Sequence, residues 1–233
     1  MPRATLSPMP HTDAQLKALI AACEQFRGAE APGGYRDGLA LCVIDSVQST
    51  GVNYASVGKV LDRYRAYRRE QGAEPATDGT AELLASFDEC SGPDPWASRI
   101  GTRNRTSTRG GVLKAEAIRD AARVLAEAGI ETTTALRAAA DDEVRLEQVR
   151  KAWCAVKGQR SGITWRYVVM LAGVPGVKPD RMIIRYVADA LEIPRRSVGS
   201  EFAAEIVTAA APELDMSATA LDHAIWRFQR GRK

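Results

Sequence analysis

Apolar residues recur three or four positions apart along almost the whole chain, which is the spacing of amphipathic helices. A first helix is predicted from Thr12 or Asp13, with Leu16, Leu19, Ile20 and Cys23 on one face. The loop GAEAPGG follows, and then 39–47 is apolar almost all round, the pattern of a helix at the centre of a bundle. Past the polar QSTGVNY, a further helix points Val57, Val60, Leu61 and Tyr64 inward. GAEPATDG is a linker, and the helix after it, over 80–90, is stopped by SGPDP. Helices are next predicted over 113–128, ending at Gly129, and from Thr132–Thr134 through Ala140. A charged helix starting at Asp141 and Asp142 carries the stripe Leu146, Val149, Trp153 and Val156. Helices over 164–171, 180–191 and 198–210 follow; AAPELD breaks the third, and a last helix covers 217–230. About ten helices and no convincing strand give an all-α fold class.

Composition adds little. The chain has 233 residues, 45% of them hydrophobic and 26% charged. These are ordinary globular values, enough for one helical domain or two small lobes sharing a cleft. The net charge of +3 does not announce a nucleic-acid binder, but its distribution says more. WASRIGTRNRTSTRGG, 96–111, sets Arg99, Arg103, Arg105 and Arg109 among hydroxyl and amide side chains. Such a loop can neutralise several phosphates; the alternative is a solvated surface loop. Cys23, Cys42, Cys90 and Cys154 are scattered singly and read as reduced, small core residues of a cytosolic protein. His11 and His223 are too few and too far apart for a metal site. The opening dozen residues, with three prolines, read as a mobile arm without a signal peptide's apolar run. No stretch is long enough for a membrane span.

The stretch most informative about chemistry is GQRSGITWRYVVMLAGVPGVKPDRMIIRYVADA, 158–190. A glycine-bounded polar turn feeds an apolar helix, so several backbone N–H groups point outward, an arrangement that suits phosphate. A Gly/Pro loop, stiffened by Pro175 and Pro179, then presents Asp180 at the mouth of the next helix. A helix-opening Asp reads first as an N-cap, a role that does not exclude catalysis.

The turn, the helix and the Asp after a Gly/Pro loop resemble the helix-hairpin-helix, Gly/Pro-Asp family of DNA glycosylases, the endonuclease III-like proteins. VPGVKPDRMIIRYV resembles the family's loop-plus-Asp ending, and VKGQRSGIT echoes its hairpin in degenerate form. The turn Ser46-Val47-Gln48, with Thr50 and Asn53 nearby, is similar to the family's serine-x-glutamine turn; LDHAIWRFQRG is a weaker echo of its closing helix. The resemblance covers about Tyr35 to Arg230, and the helix over 141–157 departs from it.

It implies a two-lobed helical fold with a DNA cleft between the lobes. The arm and first helix, 1–34, would pack on the C-terminal lobe. A lobe over 35–165 would end in the hairpin, and a lobe over 166–233 would carry the Asp loop and the last helices. Asp180 would stabilise the oxocarbenium-like sugar of a flipped-out nucleotide and orient the attacking water. Double-stranded DNA would be held by the hairpin, Gly158, Gln159, Arg160, Ser161, Gly162 and Thr164, by Arg105 and Arg109, and by Lys178 and Arg181 beside Asp180. Gln48 would fill the gap left by the base, and Tyr54, Trp165 and Tyr167 are candidate pocket walls. Ile163, followed by Thr164, stands where bifunctional members carry a lysine, so a monofunctional hydrolytic enzyme is implied. A lyase using Lys157 or Lys178 is a further alternative. No four-Cys loop follows the last helix, and neither an iron–sulfur cluster nor another cofactor is expected. The expected protein is a monomer, cytoplasmic or nucleoid-associated. The rival reading is a catalytically silent DNA-binding or scaffold protein on the same fold.

Overall fold

In the computed structural model, residues 11–231 are described; most of the proline-rich opening read above as an arm lies outside them. Among the described residues there are twelve α-helices and no strand, only an isolated antiparallel bridge between Arg105 and Leu113. The fold class is all-α. No helix among the described residues is long and apolar enough to cross a membrane.

The chain divides into two compact units, one built from 33–174 and the other from the segments on either side. In the unit over 33–174, α2 (Leu39–Gln48) is buried at every position, as expected of a sequence apolar almost all round. Around it lie α3 (Tyr54–Glu70), α4 (Thr80–Glu89), α5 (Pro93–Arg99), α6 (Lys114–Glu127), α7 (Thr133–Ala140), α8 (Glu143–Ala155) and α9 (Ile163–Leu171). Helix α9 packs on α2, with Trp165, Val168 and Leu171 in the shared core. For that reason the unit extends to Val174, beyond the expected division at 165.

The other unit holds α1 (Asp13–Cys23), α10 (Arg181–Ala190), α11 (Ser200–Glu213) and α12 (Ala218–Gly231). Thr12 opens α1 with a capping box, its hydroxyl accepting the Gln15 N–H at 3.2 Å while the Gln15 side chain accepts the Thr12 N–H at 2.9 Å. Leu19, Val187, Ile206 and Leu221 share the core. The rings of Phe26, Tyr186 and Phe228 meet at 5.5–5.8 Å, and the Tyr186 hydroxyl donates to the Ala22 carbonyl at 2.7 Å.

Two proline-bearing segments depart from the sequence reading. SGPDP does not only stop α4; Pro93 occupies the first turn of α5, where its missing N–H costs no helical hydrogen bond. Trp96 of α5 stacks on Phe87 at 4.6 Å and donates its indole N–H to Ser86 at 3.0 Å, which ties the short helix to α4. Likewise α11 runs on to Glu213, carrying Pro212 inside it close to its end.

A buried ion pair braces α3. Asp78 accepts from the Tyr64 hydroxyl at 2.9 Å and from Arg68 Nε at 2.8 Å, with the carboxylate 4% exposed. Asp78→Ala leaves the buried Tyr64 hydroxyl without its acceptor and Arg68 with Gln71 alone, so it is expected to destabilise this unit by about 1–3 kcal/mol; urea unfolding of the two proteins measures it.

Candidate functional site

Three of the segments singled out in the sequence come together within the unit over 33–174: the Gln48 turn, the arginine-bearing loop after α5, and the turn between α8 and α9. A lysine makes the first junction. Lys114 opens α6 and is 1% exposed. Its ammonium donates to the Gln48 carbonyl at 2.8 Å and the Thr50 carbonyl at 2.6 Å. The first ends α2 without a helical partner and the second lies in the turn just beyond, and a cation suits the negative end of the helix dipole. The Lys114 backbone N–H meanwhile donates to the Asn104 carbonyl at 2.9 Å. One residue therefore fastens the glutamine turn and the arginine loop to the head of α6.

Other bonds hold the loop in place. Arg63 of α3 donates to the Ile100 carbonyl at 2.8 Å and the Gly101 carbonyl at 2.5 Å. Thr102 Oγ1 donates to Gln48 Oε1 at 3.4 Å. Within the loop, Arg105 donates to the Gly111 carbonyl at 2.8 Å and the Thr106 N–H to the Val112 carbonyl at 2.9 Å. Arg103 pairs with Asp94 at 2.6 Å. Arg105 and Arg109 are exposed.

The α8–α9 turn abuts the same loop. Gly158 lies so close to Thr106 that any side chain there would collide with it, and its φ of +91° is left-handed. Gly162, at φ +71°, is the N-cap of α9 and offers no side chain to the first N–H groups of that helix. Arg160 and Ser161 between them are exposed, as is Lys157.

The side chains of Gln159 and Thr164 are committed to the turn itself. Each is 2% exposed, and Thr164 Oγ1 donates to Gln159 Oε1 at 2.6 Å while accepting from Trp153 Nε1 at 3.0 Å. The turn thus offers a ligand backbone amides and the Arg160 charge, not these two side chains. Gln48 is also 1% exposed, so its side chain is packed under the surface rather than projecting from it. Two polar atoms along these junctions, Gln48 Nε2 and Thr106 Oγ1, are buried without a hydrogen-bond partner. Such orphans are rare in folded proteins.

The aromatic candidates lie apart from one another in role. Trp165 is 4% exposed and packs against Trp153 at 5.8 Å, a core position. Tyr54 and Tyr167 are half-buried beside Asp45, a carboxylate of α2 with no exposed surface. Asp45 Oδ2 accepts from Tyr35 at 2.9 Å and from Tyr54 at 2.8 Å, and Tyr167 hydrogen-bonds Tyr54. Burial and the Asp45 charge push all three phenols up, Tyr54 to about 12.

The Asp180 loop belongs to the other unit. Asp180 is the N-cap of α10: its Oδ1 accepts the Met182 N–H at 2.7 Å and the Ile183 N–H at 3.4 Å. Both cap bonds fall on one oxygen, so Oδ2 takes no part in capping. Asp180 is partly exposed, Lys178 likewise, and Arg181 is exposed at the first position of the helix.

Behind the loop stands a carboxylate that the sequence reading did not single out. Asp222 of α12 is 8% exposed and accepts the Lys178 N–H at 2.9 Å. Burial pushes its carboxyl up to about 7; the Lys178 amide opposes that shift and the Asp180 charge adds to it. The available signal was an Asp at an inward position of the last amphipathic helix, a place where charge is unusual. Among the described residues, no three His, Cys, Asp or Glu side chains cluster so as to hold a metal ion.

A family model described as a domain of unknown function (DUF8548) matches residues 17–230. No curated protein and no solved structure matches the chain significantly.

Two outcomes follow from these contacts. Lys114→Met strands the buried Gln48 carbonyl and the half-buried Thr50 carbonyl and is expected to cost about 1–3 kcal/mol; urea unfolding measures the loss, and faster amide exchange over 48–53 localises it. For Asp222, the folded carboxyl titrates near 7, above its ordinary 3.8. The stability it contributes is present in full below that ordinary value and is lost as pH rises through about 7, a change on the order of a few kcal/mol. Thermal unfolding followed from pH 4 to 8 should show this decline in the wild type and a flatter profile in Asp222→Asn.

Proposed function

The chain belongs to the DUF8548 family, and we propose that this member is a monofunctional DNA N-glycosylase. In this reading it hydrolyses the N-glycosidic bond of a flipped modified or mispaired base in double-stranded DNA, as a cytoplasmic monomer. The observation that carries the reading is the meeting of the glutamine turn, the arginine loop and the glycine-bounded turn of α8–α9 in one unit. The resemblance assigned the first and third of these to DNA separately, at distant points of the sequence, and charge singled out the second. Their adjacency offers a duplex exposed Arg105, Arg109 and Arg160 together with the N-terminus of α9, where the N-cap glycine has no side chain. Guanidinium groups and backbone amides are the usual partners of a phosphate chain.

Asp180 supplies the chemistry. Cleavage of the glycosidic bond leaves positive charge on C1′ and the ring oxygen, and a fixed carboxylate stabilises that state. The two cap bonds on Oδ1 hold the carboxylate still, while Oδ2 is left for the sugar or the attacking water. A preoriented charge loses little on reorganising during the reaction, and this is where such groups obtain most of their effect. No lysine stands at the position of the lyase nucleophile, so hydrolysis without strand cleavage is the expected course.

One observation favours a second reading, a DNA-binding protein without catalysis: the Gln48 side chain is packed away, although the glycosylase reading asks it to enter the gap left by the base. Entry would require the Thr102 contact to break, and the orphaned Nε2 would then gain an acceptor.

Single-turnover base release from a panel of modified and mismatched duplexes, with alkali to reveal abasic sites, tests the proposal. Release by the wild type is expected to fall by roughly 100-fold or more in Asp180→Asn, with duplex affinity retained. Equal release by the two proteins would remove Asp180 from the mechanism. Binding without release on any duplex, weakened by Arg105→Ala and Arg109→Ala, would establish the silent binder instead.

A further inference from the structure

Helix α12 grips the loop that carries Asp180 at two points one helical turn apart. Thr219 Oγ1 accepts the Gly176 N–H at 3.1 Å and donates to the Gly176 carbonyl at 3.3 Å. Asp222, three residues on and therefore on the same helix face, accepts the Lys178 N–H at 2.9 Å. Val177, between the two anchored residues, is buried. The Lys178 carbonyl in turn accepts the N–H of Asp180 at 2.7 Å, across Pro179. Two hydrogen bonds through one residue thus connect the Asp222 carboxyl to the Asp180 backbone. Asp180 then fixes its own side chain on the head of α10.

We propose that Asp222 is a positioning residue for Asp180, anchoring through Lys178 the backbone from which Asp180 reaches its substrate and sensing the charge of that carboxylate. The proposal rests on the reading of Asp180 as the working group. Holding one amide does not require an acid; an asparagine would accept the same hydrogen bond without the cost of burying a charge. What an acid adds is a proton that comes and goes. The charged groups that act on Asp222 are Asp180 at the head of α10 and Lys178 in the loop, and burial acts with the first of them. A protonated Asp222 holds the loop without opposing the Asp180 carboxylate. An ionised one sets a second negative charge against it. Asp180 would accordingly do its work with Asp222 protonated, and the reaction would slow as Asp222 loses that proton.

The test uses the full chain, first without DNA. Carboxyl ¹³C resonances are followed with pH in the wild type, Asp222→Asn and Asp222→Ala, the Asp180 signal being identified by its loss in Asp180→Asn. In the wild type the Asp180 carboxyl resonance is expected to report a step as Asp222 loses its proton near pH 7. The step should vanish in Asp222→Asn, which keeps the amide acceptor and so keeps the loop in place. Asp222→Ala should lose the anchor as well, broadening the Lys178 and Asp180 amide signals.

Base release then adds a reading that a purely structural role would not move. The wild-type single-turnover rate should fall about 10-fold for each pH unit above the Asp222 transition. Asp222→Asn should abolish that limb at unchanged duplex affinity, and Asp222→Ala should lower the rate at every pH. An Asp180 resonance with no step at the Asp222 transition, or a step that persists in Asp222→Asn, overturns the proposal. A wild type that releases no base sinks the glycosylase reading instead, and the resonance data still decide whether Asp222 positions and senses Asp180.

Discussion

The Lys114 ammonium is the contact on which the unit over 33–174 depends. Burying a cation costs several kcal/mol unless strong acceptors surround it. Here the acceptors are main-chain oxygens at the end of α2, where the helix dipole already concentrates negative charge. Because those oxygens belong to the turn after a wholly buried helix, the lysine fixes the exit of the core's central element. Because its own N–H holds Asn104, it also fixes the start of α6 and the loop before it. The geometry of a surface formed by distant segments is in this way set by one interior charge.

The same division of labour recurs across the site. Side chains that a sequence reading would hand to a ligand are spent on the scaffold: Gln159 and Thr164 lock each other and Trp153, and Gln48 is packed beneath Thr102. What faces outward is charge: Arg109 and Arg160, and Arg105, whose guanidinium also holds the Gly111 carbonyl. In the reading proposed, such a surface would grip a phosphate chain without reading its bases, and any choice among bases would then come from elsewhere.

Much of the fold was legible because its signals are local. The all-round apolar run of α2, the Asp180 cap and the clean stop at Gly129 each depend on neighbours in sequence. The proline at Pro93 misled because SGPDP reads as a terminator, whereas proline is also a good first residue of a helix, and only the stacking of Trp96 on Phe87 reveals which role won. Of the site, the Asp180 loop and the two turns could be picked out from residue type and spacing. Lys114 and Asp222 could not. Each looks like one more charge on an amphipathic helix, and its importance lies in the partner, Gln48 for one and Lys178 for the other, that folding brings from tens of residues away.

The unit that carries Asp180 is assembled from the two ends of the chain. Helix α1 packs on α10 and α11, which follow only after the whole of 33–174 has intervened. During synthesis α1 therefore leaves the ribosome long before any of its partners exist. It has too few residues to persist as an isolated helix. The intervening unit, contiguous in sequence, is complete and free to close first. Its closure shortens the effective distance between the chain ends, lowering the entropic cost of bringing α1 to α11. The connectivity thus permits the surface proposed for DNA to form while the unit that carries the carboxylate still waits for its last helices.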